Sequence, residues 1–129
     1  MTRKLVVLAV SLGLAGAGGA LAHHSFAAEF DGNKPIRIEG TLSKVEWMNP
    51  HSYFYVDVKD DKGNVVNWGC EGANPGVLSR QGFRKGDVKI GDSVVVDGYA
   101  AKDGAHLMNV RRIYLNGKLI FDGTNEGQQ

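Results

Sequence analysis

Two adjacent histidines, His23 and His24, follow directly on Ala20-Leu21-Ala22 in this 129-residue chain. A cut after Ala22 would make His23 the first residue, so that its α-amine and its imidazole face a metal together. Amine, imidazole and deprotonated amide nitrogens suit Cu(II) in a tetragonal field, and zinc and nickel also accept imidazole. A cut after Ala20 would begin the chain at Leu21-Ala22-His23, with histidine at the third position, which is again a Cu(II) chelate. His51 is the natural third ligand. It follows Asn49-Pro50 at a strand entrance, where an imidazole is held at a rim instead of in a core. The plainer roles are solvation for the pair and a backbone hydrogen bond for His51.

Other groups offer less. Tyr53 and Tyr55 share a strand parity with Asp57 and could form a stacking platform for a sugar or another planar ligand. Packing under the Phe26/Phe30 segment is their plainer role. His106 and Met108, with Met48 ahead of His51, make a soft His/Met set of the kind small copper chaperone barrels use, which is an analogy at the level of the fold. Met108 sits among Leu107 and Val110 and reads as core, and His106 follows a turn and reads as solvated. Cys70, the only cysteine, shares parity with Val66 and Trp68 and reads as buried filler, with no disulfide to form. Catalytic patterns are missing: no Gly-x-Ser-x-Gly elbow, no phosphate loop, and Glu39, Glu46 and Glu71 stand singly. No catalytic or cofactor-binding residues are assigned beyond the metal set.

The elements that must position these groups begin with an export signal. Arg3 and Lys4 precede an apolar run from Leu5 to Leu14, then small residues and the Ala-Leu-Ala cleavage pattern, so residues 1–22 are expected to be removed. The run is short for a membrane span; a retained anchor is the alternative. The chain carries 15 Lys and Arg against 14 Asp and Glu, and losing Arg3 and Lys4 takes the formal net charge from +1 to −1. Near-neutrality and the lack of basic runs argue against nucleic acid and anionic membranes as partners. The expected compartment is the periplasm or the exterior, and the expected state a monomer.

Residues 23–35 read as a leader with Phe26 and Phe30 at helical spacing, suited to one short turn docked on the domain. Ile36 to Leu42 alternates with period two, then the apolar parity moves to Val45 and Trp47, which a bulge explains, with Gly40 permitting close approach. A second strand from His51 to Lys59 alternates Ser52, Phe54, Val56 and Val58 against His51, Tyr53, Tyr55 and Asp57. The Asp60–Asn64 turn leads to a third strand, Val65 to Glu71. Asn74-Pro75 caps a helix running to about Gln81 and ending at Gly82. A fourth strand, Ser93 to Ala101, and a fifth, His106 to Leu115, are followed by a short Lys118–Phe121 extension. Residues 122–129 read as a loose polar tail. Five strands with one helix between the third and fourth is the element order of an all-β, OB-like barrel spanning residues 36–121.

The chain also resembles a family of small exported bacterial proteins that carry a domain of unknown function. The matching marks are Ala22-His23-His24-Ser25-Phe26, Phe30-Asp31, Gly40 with Val45-Glu46-Trp47, Asn49-Pro50-His51, Trp68 with Glu71-Gly72, and Asn74-Pro75. Gly91-Asp92, Gly98-Tyr99 with Ala101-Lys102-Asp103-Gly104, and Asn109 with Arg111 complete the set. The resemblance implies export and a compact β-domain and brings no activity with it. Met48, Cys70 and His106 lie outside its pattern. Two functions are therefore expected in competition. One is copper binding through His23, His24 and His51 for chaperoning, buffering or sensing. The other is a metal-free module that binds a polysaccharide or an envelope protein through Tyr53 and Tyr55.

Overall fold

The structure, a computed structural model, describes residues 26–124; residues 1–22, expected to be an export signal, and His23 and His24 lie outside them. After a helical turn at residues 26–29 the chain forms β1 (Phe30–Glu46), β2 (Tyr53–Lys59), β3 (Val65–Glu71), the helix α1 (Pro75–Arg80), β4 (Ser93–Ala101), β5 (Leu107–Leu115) and β6 (Lys118–Asp122). The sheet order is β3-β2-β1-β4-β5-β6. A short parallel pairing of β3 with β5, Gly69 to Glu71 against Leu107 to Asn109, closes β1 to β5 into a ring and leaves β6 as an extra strand on β5. The all-β reading holds, with six strands in place of five: the Lys118–Phe121 extension pairs with β5 from Ile113 to Leu115, and Asp122 adds a pairing with Arg112.

β1 is longer than its alternation suggested. It begins at Phe30, inside the segment read as leader, because Phe30 already faces Ala101 of β4 and is buried. Asp31 to Lys34 are looped out of register before pairing resumes at Pro35 and Tyr99. The shift of apolar parity is a bulge at Ser43, since Leu42 pairs with Val56 and Lys44 with Tyr55. Leu42 therefore points inward and Val45 joins the core edge, while Ser43 and Lys44 between them stay on the outside. Gly40 is obligatory at this bend: a Cβ there would lie 2.1 Å from the Asp57 carbonyl oxygen.

The interior is filled by the inward parity of each strand, with Leu42, Phe54, Val56, Val94, Val96, Met108 and Ile113 at its centre. Cys70 and Met108 are both fully buried, as expected of filler. α1 closes one end. Asn74 accepts a hydrogen bond from the Val77 amide at 3.0 Å, Pro75 takes the first helical position, and Gly82 leaves the helix at φ +85°. A six-residue helix has little stability of its own; burial of Leu78 and Phe83 against Trp47 and Phe54 holds it in place. The first residues read as tail are ordered. Asp122 pairs in β6, holds the Thr124 hydroxyl and amide, and receives Arg112 Nε at 3.1 Å. Those bonds, Thr124's first, pull its carboxyl down to about 2. Among the described residues no helix is long and apolar enough to cross a membrane.

Two outcomes test this core. Burial pushes the Cys70 thiol up to about 12, so native protein at pH 8 should leave a thiol reagent unreacted, and denatured protein should release one thiol. Rapid labelling of the native chain would contradict the burial. Ser52 is fully buried with no hydrogen-bond partner for its Oγ among the described residues. An orphaned hydroxyl costs about 1–3 kcal/mol, so Ser52→Ala should leave stability to urea unchanged or raise it by about 1 kcal/mol, and a clear loss would show that the hydroxyl is satisfied.

Candidate functional site

The outer parity of β2 carries Tyr53 and Tyr55, and two pairings decide what stands beside them. The Asp60–Asn64 turn is tightly specified: the Asp60 carboxylate accepts from the Lys62 and Asn64 amides and the Asn64 side chain, and Gly63 takes φ +82°. That turn sets the register of β2 on β3 from Lys59 opposite Val65 up to Tyr53 opposite Glu71. On the other side Glu46 of β1 stands opposite Tyr53. Each tyrosine thus reaches a carboxylate. Tyr53 donates its hydroxyl to Glu71 Oε2 at 3.0 Å, and Tyr55 donates to Glu46 Oε2 at 3.1 Å.

The rings stack on each other, with centroids 6.3 Å apart and planes 24° from parallel. Lys44 pairs with Glu46 and lies over the Tyr55 ring at 5.2 Å, which holds the Glu46 carboxyl below and the Lys44 ammonium above their usual ranges. Ser43, Asp57 and Asn67 extend the polar surface: Asn67 Nδ2 donates to Ser43 Oγ at 3.0 Å and to Asp57 Oδ1 at 2.7 Å.

Glu71 is the informative residue, and sequence reasoning passed over it as a lone carboxylate. It is only 7% exposed, and a buried carboxylate needs compensation. Tyr53 supplies a hydrogen bond to one oxygen. The other oxygen faces His51 Nε2 at 3.6 Å, too far for a hydrogen bond but within ion-pair range when the imidazole is charged. The hairpin register was the signal that could have found it, since counting back from the turn puts Glu71 opposite Tyr53.

His51 therefore stands at a strand entrance as expected, after a cis Asn49–Pro50 bond, with its side chain 45% exposed and a carboxylate at its back. His23 and His24 fall outside the described residues, and so does the test of whether they reach His51. Among the described residues no three His, Cys, Asp or Glu side chains form a metal set. The His/Met set is not assembled either: Met108 is sealed in the core, Met48 is exposed, and the exposed His106 packs its ring 5.1 Å from that of Trp68. The leader does dock, but on another surface than the one foreseen. The Phe26 ring meets Phe30 and Tyr99, both at 5.8 Å, and the Lys102 amide donates to the Glu29 carbonyl. Glu29 still acts on Tyr53 through its charge.

Burial, then the bond to Glu71, pushes the Tyr53 hydroxyl up to about 12 from its ordinary 10.0. A phenol whose folded value is raised stabilises the fold fully below pH 10, and that contribution is lost as the pH climbs toward 12. Tyr53→Phe should therefore flatten the alkaline fall in urea stability between pH 10 and 12. An unchanged fall in the variant would show that Tyr53 is not its source.

Comparison with known proteins places this geometry on a familiar scaffold. The mitochondrial single-stranded DNA binding protein Rim1 from S. cerevisiae is similar over 64% of this chain and 94% of its own, with 16% identity and a TM-score of 0.50, a likeness of fold alone. A ZRD-deleted mutant of TiaS, solved in complex with agmatine, is similar over 77% of this chain and 24% of its own, with 20% identity and a TM-score of 0.47. No curated protein matches. The profile of one family covers residues 12–109, and the chain therefore belongs to DUF6152, a family of unknown function.

Proposed function

We propose that this protein is exported through a cleaved signal to the periplasm or the exterior, and that its ring is an OB-like barrel carrying a copper site built on the mature N-terminus. His23 would supply amine and imidazole, with His24 and His51 as further ligands, for chaperoning, buffering or sensing. The observation that carries this reading is the His51–Glu71 pair. A half-exposed imidazole with a buried carboxylate 3.6 Å from its Nε2 resembles the carboxylate–histidine pairing that stands behind many metal-ligating histidines. Nitrogen and oxygen donors of this kind suit Cu(II). The described residues contribute too few donors alone, so completion needs ligands from ahead of Phe26. His23 precedes Phe26 by three residues, a reach of at most about 11 Å.

A second reading rests on the stacked Tyr53–Tyr55 pair. Aromatic rings flanked by the carboxylates Glu46 and Glu71 suit a polysaccharide, or a basic segment of an envelope protein, better than a phosphate backbone.

The deciding experiment uses mature protein exported through its own signal, with the cleavage site fixed by intact mass. Cu(II) titration followed by electron paramagnetic resonance should give a one-to-one, nitrogen-rich spectrum. That spectrum should vanish when a residue is inserted ahead of His23 and lose a nitrogen in His51→Ala. Binding no tighter than that of a free peptide with the same first residues would end the copper reading. If Tyr53→Ala and Tyr55→Ala then abolish binding to an envelope polysaccharide while histidine changes do not, the second reading stands.

A further inference from the structure

A concavity of about 390 Å³ runs along β1, β4 and β5, where Arg37, Tyr99, Arg111 and Arg112 line it with Asp97 as its carboxylate. How the two consecutive arginines come to share it is a matter of register. Asp97 stands opposite Arg112 and Gly98 opposite Val110, so Arg111 has no counterpart on β4. Strict alternation would send one of two neighbouring residues into the core. Here Val110 and Ile113 are the buried ones, and the bulge turns both arginines between them outward into the same groove. Gly98 makes the bulge possible, since a Cβ there would lie 2.0 Å from the Asn109 carbonyl oxygen.

The three guanidiniums are held differently. Arg37 donates to both Asp97 oxygens, at 3.2 and 3.3 Å, and lies over Tyr114. Arg112 is engaged by Asp122 at 3.1 Å. Arg111 makes no ion pair among the described residues; it sits 5.6 Å over the Tyr99 ring, which Phe26 in turn braces edge-on. A guanidinium fixed by ring contact keeps its planar fork of N–H donors free for a bidentate oxyanion.

We propose that this groove binds a small organic anion, whose carboxylate or phosphoryl group docks on the Arg111 fork beside Tyr99, since Asp97 and Asp122 already offset the charges of Arg37 and Arg112. The volume matches a small ligand, and no basic run continues from it along the chain to track a polymer.

The test is to titrate the isotope-labelled mature protein at low salt with succinate and, separately, with inorganic phosphate, following backbone amide shifts. Saturable shifts centred on Gly98, Tyr99, Arg111 and Arg112 are expected, weakening as salt is added. The probe that binds tighter identifies the headgroup. Arg111→Gln should weaken binding roughly ten- to hundredfold, as loss of charge-assisted hydrogen bonds does, and Arg111→Lys should fall between. His51→Ala should leave it unchanged, which separates this groove from the copper site. Shifts scattered over surface lysines, no saturation, or unaltered affinity in a folded Arg111→Gln protein would overturn the proposal.

Discussion

One strand has to serve two neighbours for this ring to exist. β1 pairs with β4 along its first part and with β2 along its last, and a straight strand could not face both. The bend is built from two residues. Gly40 removes the Cβ that would strike the Asp57 carbonyl, and the bulge at Ser43 resets the alternation so that Leu42 and Val45 both reach the interior. The neighbouring loop is tied to the same spot, with the Leu42 amide bonded to the Asp92 carbonyl and the Gly91 amide to the Leu42 carbonyl. Those bonds carry the β1–β4 contact one step past Thr41 and Ser93 and satisfy both backbone groups of Leu42.

The same device recurs on the opposite edge of β4. There a glycine, Gly98, lets the backbones close in, and a bulge in β5 adds an outward residue. At both places the sheet gives up regular pairing and places two consecutive polar side chains on its surface: Ser43 and Lys44 in one case, Arg111 and Arg112 in the other. Lys44 then neutralises Glu46 beside Tyr55, and Arg111 rests on Tyr99. Irregularities of the ladder are thus where the molecule's polar chemistry collects.

Glu71 gives that chemistry its energetic centre. Its burial is tolerable because β2 and β3 are registered by the turn at Asp60–Asn64, so that Tyr53 and His51 arrive on its two oxygens. A one-residue slip would turn both partners away and leave an unpaired charge in the protein interior. The likeness to a single-stranded DNA binding protein lies in the scaffold, and the groups that decorate this one differ in kind: carboxylates bound to tyrosines on one surface, arginines over aromatic rings on another.

Much of this was legible in the residues themselves. Alternation located β2 to β5, Asn74-Pro75 and Gly82 bounded the helix, and the change of parity after Leu42 announced a bulge, because each is a local consequence of backbone geometry and side-chain polarity. The burial of Cys70 and Met108 followed from parity in the same way. Long-range pairing lay beyond such reasoning. That Phe30 belongs to β1, that Lys118 to Asp122 add a sixth strand, and that Arg111 and Arg112 share a groove depend on which backbone each segment meets. So does the meeting of Glu71 with His51, which lie twenty residues apart and become neighbours only through hairpin register. Sequence alone determined which groups could bind a metal or stack on a planar ligand; the pairing of the strands decided which of them stand together, because distance along the chain says nothing of distance across a sheet.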